Sequence, residues 1–182
     1  MDVERLDIDG LMVFEPRVFE DERGAFFESF NEARFREATG FDGNFVQDNH
    51  SISHKGVLRG LHYQLPPHAQ GKLVRVLAGA AFDVAVDIRE GSPTFGKWAG
   101  VELSAANRKQ LWIPAGFAHG FLALEHGTEF LYKTTDFWHA ASDRSIRWDD
   151  PEIAVAWPLT GAPVVSRKDA AAPSLAAATR GD

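Results

Sequence analysis

The sequence predicts an all-β fold, an antiparallel sandwich or barrel with one short helix near its N-terminus. Short apolar runs with a period of two fill the middle of the chain, turn residues separate them at regular spacing, and a complete helix signature occurs once. At 182 residues the chain is long enough for one domain with a real core.

The helix comes first, over Glu32 to Thr39. Asn31 suits the N-cap, Phe30 and Phe35 stand where a hydrophobic staple needs them, and Gly40 suits the C′ position. The strands follow. Phe45 to Ser53 alternates, with Gln47, Asn49 and Ser51 on one face. Lys72 to Leu77 leads through Gly79 into Phe82 to Ile88. There Phe82, Val84, Val86 and Ile88 face one way and Asp83, Ala85 and Asp87 the other. Gly100 to Ser104, Gln110 to Pro114, His119 to Leu124 and Glu129 to Thr135 continue the pattern. Pro66-Pro67, Gly91-Ser92-Pro93, Pro114-Ala115-Gly116 and His126-Gly127 supply the turns. One domain is therefore expected over 1–169. From Ala170 onward the chain is Ala-rich without a periodic apolar face and reads as a loose tail.

Composition narrows the function. A net charge of −7 argues against coating nucleic acid. Yet Asn49 to Phe82 holds four basic residues and four histidines with no Asp or Glu, which suits a local anion site. Fourteen Phe and five Trp leave rings free to stack on a planar ligand. The absence of cysteine excludes disulfides and thiolate metal sites. Met1 to Gly10 is acidic and has no apolar stretch of signal-peptide length, and no run is long enough to span a bilayer. A cytoplasmic protein is expected, in which Asn49-His50-Ser51 would stay unglycosylated.

Signatures of dinucleotide binding, the P-loop, the serine elbow and His-Glu-x-x-His are missing. Pro114-Ala115-Gly116-Phe117-Ala118-His119 is similar to the second motif of metal-binding cupins. The first motif needs a second histidine where His62-Tyr63-Gln64 offers Gln64, and no Glu follows before Glu90, so no metal is expected.

The informative block is Lys55-Gly56-Val57-Leu58-Arg59-Gly60-Leu61-His62-Tyr63-Gln64, then Gln70-Gly71-Lys72-Leu73-Val74-Arg75. Phe82 to Arg89, Ser92 to Gly96, Gln110 to Phe121, Glu129 to Asp136 and Ser166 to Asp169 extend it. In these motifs, from about Gly10 to Asp169, the chain resembles the dTDP-4-dehydrorhamnose 3,5-epimerase family of dTDP-L-rhamnose synthesis. The resemblance implies a cupin-like jelly-roll β-sandwich, no cofactor, and a homodimer that exchanges N-terminal strands. The implied reaction inverts C3 and C5 of dTDP-4-dehydro-6-deoxy-D-glucose through an enolate. His62 would be the base, Asp169 its orienting partner, Lys72 the enolate stabiliser and Tyr132 the acid. Gln47, Asn49, Arg59, His119 and Phe121 would line the sugar and diphosphate pocket. Arg23, Phe26 and Glu28 would arrive from the partner to hold the nucleotide. Phe19 and Trp138 would stack, Asp143 would contact the ligand, and Lys168 would sit near the phosphates.

The chemistry suits those residue types. Imidazole titrates near neutrality, a carboxylate fixes its tautomer, a cation favours the oxyanion, and a phenol can protonate an enolate carbon yet stay neutral at rest. Taken singly, each residue has an ordinary structural reading. A histidine on a strand is usually hydrogen-bonded scaffold, and Tyr132 alone reads as a half-buried sheet residue.

Arg59 and His62 have opposite strand parity, so a regular strand could not aim both into one pocket. A bulge near Gly60 is therefore expected. Trp138 and Asp143 stand where the family commonly has tyrosine and glutamate, which leaves the number of inverted carbons open. A single-centre epimerase of a dTDP-4-keto-deoxysugar is the first alternative. A non-catalytic sugar-nucleotide-binding jelly roll is the second.

Overall fold

A computed structural model describes residues 1–178. In chain order the elements are β1 (Asp2–Arg5), β2 (Met12–Glu15), β3 (Val18–Asp21), β4 (Gly24–Phe27), α1 (Glu32–Thr39), β5 (Gln47–Ser53), β6 (Leu58–Gln64) and β7 (Lys72–Ala78). After them come β8 (Ala80–Asp87), β9 (Trp98–Ser104), β10 (Gln110–Ile113), β11 (Phe117–Ala123), β12 (Thr128–Thr134), β13 (Asp143–Ser145), α2 (Arg167–Ala170) and α3 (Leu175–Ala178). A six-stranded sheet runs β1-β2-β10-β7-β12-β5, and a five-stranded sheet runs β13-β6-β11-β8-β9. Their ladders are antiparallel. The two sheets face each other as a jelly-roll sandwich, the fold class expected.

Alternation decides what lies between the sheets. Val74 and Val76 of β7, Leu111 of β10, Leu103 of β9, Phe121 of β11 and Phe130 of β12 form the apolar core. The opposite faces are covered locally. Helix α1 has the expected limits, with the Asn31 side chain accepting from the Arg34 N–H and Gly40 in the left-handed conformation. Phe30 and Phe35 meet at 5.8 Å as the staple requires, and Phe35 also packs edge-on against Trp112 of β10 at 4.9 Å.

Three features go beyond the sequence reading. Strands β1 and β2 extend the six-stranded sheet, although four-residue strands carry too short a period to stand out. Among the described residues, strands β3 and β4 pair only with each other, and they project Phe19 and Phe26, 54% and 73% exposed. Residues 170–178, expected to be loose, are anchored at Leu175. Leu175 is buried with Ile146 and Ile153 against Leu61 and Val84 on the outer face of the five-stranded sheet, and its N–H is held by Asp150 at 2.8 Å. One buried leucine contributes about 1.5–3 kcal/mol, and a single leucine among alanines has no period to reveal it. Residues 179–182 of the expected tail lie outside the described residues.

Candidate active site

A cavity of about 640 Å³ opens at the polar end of the sandwich interior, between β5, β7 and β12 on one side and β6 and β11 on the other. Each strand reaches it by continuing the alternation of the core. Lys72 precedes Val74 and Val76 on the inner face of β7, and Tyr132 follows Phe130 on that of β12. The wall residues are polar because the strands end here in charge, not because the fold changes.

Strand β6 carries the irregularity expected near Gly60. On β11, one residue separates His119 from Phe121; on β6, two separate Arg59 from His62, their ladder partners. That extra residue resets the pleat, so Arg59 and His62 both line the cavity. Gly60 has φ +123°, and a Cβ there would stand 2.6 Å from the Gly120 Cα, so no other residue fits without displacing β11.

His62 Nε2 lies 2.6 Å from Asp169 Oδ1. Asp169 is placed by the single turn α2, whose N-cap Ser166 accepts the Asp169 N–H at 3.0 Å. Burial works against ionisation of Asp169, but the His62 hydrogen bond and charge, Ser166 and the Gly60 N–H outweigh it and hold the carboxyl below its ordinary value. An ionised carboxylate only accepts, so the neutral imidazole keeps its hydrogen on Nε2 and its lone pair on Nδ1. An imidazole held in this way can take a proton from a bound carbon acid through Nδ1.

Lys72 donates to the His62 backbone oxygen at 3.4 Å and is buried. Burial lowers its ammonium to about 8, with Asp83 and Asp143 pulling in the opposite direction. Lys72 is thus charged at neutral pH in a poorly solvated place, where a cation stabilises a developing oxyanion strongly. Burial raises the Tyr132 phenol above its ordinary value, against the opposing charge of Arg59, so it keeps its proton.

A second histidine–carboxylate pair lies behind the first. His119 Nε2 is 2.7 Å from Asp83 Oδ1, and both side chains are buried. Asp83 Oδ2 is buried without a hydrogen-bond partner among the described residues. Burial lowers the His119 pKa, as do the charges of Lys72 and His62, while Asp83 opposes. Sequence reading separated Asp83 and Ala85 from the apolar face of Phe82, Val84 and Val86, without assigning Asp83 a role. The structure turns the Asp83 face between the sheets and packs Val84 and Val86 on the outer face, because the outer face is itself covered by Ile146, Ile153 and Leu175. The signal for a role was there, because a charge between Phe82 and Val84 needs a buried partner.

Of the remaining expected residues, Asn49, Arg59, His119, Phe121, Trp138, Asp143 and Lys168 line the cavity. Arg59 Nε donates to Ser53 Oγ at 3.2 Å, Phe121 stacks on Phe130 at 4.0 Å, and Lys168 is ion-paired with Asp143 at the rim. Gln47 does not line the cavity; its amide holds Asn49 at 2.9 Å and the Trp138 N–H at 3.1 Å. Phe19, Arg23 and Phe26 lie apart on the β3–β4 hairpin, with Arg23 paired to Asp21, and Glu28 is paired with Arg34. Gln64, Gln70 and Ser166 line the cavity too; they stood in the quoted motifs without assigned roles. Among the described residues no group of three or more His, Asp or Glu side chains is arranged to hold a metal ion.

Residues 5–177 match the family model described as dTDP-4-dehydrorhamnose 3,5-epimerase. A curated dTDP-4-dehydrorhamnose 3,5-epimerase of Pseudomonas aeruginosa is 60% identical over 169 residues, covering 93% of each chain. The crystal structure of a dTDP-6-deoxy-D-glucose-3,5-epimerase from Legionella pneumophila, in complex with dTDP-4-keto-L-rhamnose, superposes with a TM-score of 0.93. It is 54% identical and covers 96% of this chain and 93% of its own. A 3′-monoepimerase from Streptomyces bikiniensis in complex with dTDP-quinovose superposes with a TM-score of 0.90 at 38% identity, covering 96% of this chain and 88% of its own.

Proposed function

The chain belongs to the dTDP-4-dehydrorhamnose 3,5-epimerase family, and from that membership and the geometry of its cavity we propose that it is an isomerase inverting C3 and C5 of dTDP-4-dehydro-6-deoxy-D-glucose. The product is dTDP-4-dehydro-L-rhamnose. The His62–Asp169 pair beside a buried Lys72 carries the reading, because α-epimerisation needs a base and a held positive charge around one carbonyl. His62 Nδ1 takes the proton α to the C4 ketone, and the electron pair moves onto the ketone oxygen as an enolate. Lys72 stabilises that oxygen. Tyr132 protonates the same carbon from the opposite face, and the configuration inverts. The ketone already acidifies both neighbouring C–H bonds, so once His62 has passed its proton to solvent and Tyr132 has taken one back, the same groups serve the second carbon. Asn49, Arg59, His119, Phe121 and Lys168 hold the sugar and diphosphate.

The working unit in this proposal is a homodimer that exchanges its N-terminal strands. The exposed hairpin with Phe19, Arg23 and Phe26 supports it, as do the exposed rings of Phe137 and Trp138 that await a cover. Glu28 and Asp143 complete the nucleotide site. One domain over 1–169 carries the activity, and a cytoplasmic location goes with a nucleotide-linked substrate.

The test is proton exchange from dTDP-4-dehydro-6-deoxy-D-glucose in D₂O, followed by NMR with the purified protein alone. Deuterium at both C3 and C5 is expected. Deuterium at one carbon would establish a single-centre epimerase instead, an activity that the Streptomyces 3′-monoepimerase carries on the same fold. Binding of dTDP without exchange would make the protein a non-catalytic module and overturn the proposal.

A further inference from the structure

The loop from Asp136 to His139 leads from β12 towards β13 and carries Trp138, 61% exposed, to the mouth of the cavity. A loop that exposes Phe137 and Trp138 side by side gains little from burial and should wander. Instead its backbone is held residue by residue by glutamine side chains. Gln70 Nε2 donates to the Asp136 oxygen at 2.7 Å. Gln64 Nε2 donates to the Phe137 oxygen at 3.1 Å and to the His68 oxygen at 2.6 Å, while its Oε1 accepts the His139 N–H at 2.7 Å. Gln47 Oε1 accepts the Trp138 N–H. The His68 ring stacks on His139 at 4.0 Å and meets Asp136 at 3.0 Å, closing the clamp from outside.

A primary amide offers two donors and an acceptor at the end of one side chain, and Gln64 uses both donors and the acceptor here. The anchors are also registered to the chemistry. Gln64 lies two residues after His62 on the inner face of β6, and Gln70 two residues before Lys72. The clamp thus measures the indole of Trp138 from the same backbone that carries the base and the cation. A sugar ring resting against that indole would have its height over His62 set by the glutamines.

Resting on the proposed epimerisation, we infer that Gln64 and Gln70 are positioning residues. By holding the backbone on either side of Trp138 they set how evenly C3 and C5 are presented to His62. Neither glutamine touches the reacting atoms in this role.

Two variants test it, Gln64→Glu, which keeps the acceptor and loses both donors, and Gln70→Leu, which removes one bond at a less buried position. The ratio of deuterium at C5 to deuterium at C3 is measured in D₂O, with backbone amide exchange over 136–139 by mass spectrometry and dTDP affinity alongside. Both variants should retain dTDP binding and exchange the loop amides faster. Their C5-to-C3 ratio should change by roughly tenfold, since small misplacements of a reacting centre carry large rate costs. A purely structural role would lower both exchange rates in proportion, so an unchanged ratio overturns the inference. Should Gln64→Glu fail to fold, Gln70→Leu alone decides. If the wild type labels one carbon only, the variants must label the other as well, or the inference fails. If the wild type labels neither carbon, the proposed function fails before any variant is made.

Discussion

Two histidine–carboxylate pairs stand next to each other across the β6–β11 ladder, where His62 and His119 are register partners. Their bond lengths are nearly the same, 2.6 and 2.7 Å. Their surroundings differ. The His119 side chain is 7% exposed and Asp83 is fully buried, and both belong to the five-stranded sheet. The His62 side chain is 34% exposed towards the cavity, and its carboxylate comes from a helical turn outside the sheets. Burial lowers the His119 pKa even with Asp83 beside it, so that ring stays neutral and acts as a fixed hydrogen-bonding group. An open ring with a fixed tautomer can instead cycle a proton. Access to a ligand, not the strength of the pair, separates a base from a strut.

The largest break in this comparison is His62→Ala. It should retain dTDP binding, measured by calorimetry, and lose turnover by roughly 10²–10⁴-fold, the usual worth of a positioned proton carrier. An equal loss from His119→Ala with unchanged KM would reverse the roles of the two pairs. Asp169→Asn should cost nearly as much, up to roughly 10⁴-fold in kcat, because its amide can donate to Nε2 and leave the hydrogen on Nδ1, where the base is needed.

The pH profile sharpens the comparison through the cation between the pairs. Lys72 is charged below about 8 and neutral above it. The rate kcat/KM should therefore fall as pH rises through about 8, whereas a solvated lysine would hold its charge to about 10.4. Asp83 raises the Lys72 pKa, so Asp83→Asn should move that alkaline limb to lower pH. A limb that stays in place would uncouple the inner pair from Lys72. The smallest effect concerns register. Gly60→Ala puts a side chain at φ +123° against Gly120 and should lower stability by more than about 1 kcal/mol, read by thermal melting.

Much of this was legible along the chain, and the gaps have physical reasons. The Asn31 cap and the Phe30–Phe35 staple act within a few residues, so the limits of α1 could be read directly. The parity conflict between Arg59 and His62 pointed to the irregularity at Gly60 for the same reason. Leu175 was misjudged because its partners, Leu61 and Val84, lie more than a hundred and about ninety residues away in sequence. Gln64 and Gln70 stood in recognisable motifs. Their targets are backbone atoms of a distant loop, which no residue type announces.

By itself the sequence determined which residues of each central strand share a face, where the helix begins and stops, and that the pleat must reset near Gly60. Those properties depend on spacing over a turn or a pleat, and local sterics enforce them. Tertiary structure alone decided which carboxylate meets which histidine. Asp169 is 107 residues from His62 and Asp83 is 36 from His119, and no local period encodes such pairings. It also decided that one ring would face the cavity and the other the core, because burial is a property of the packed sandwich and not of the histidine.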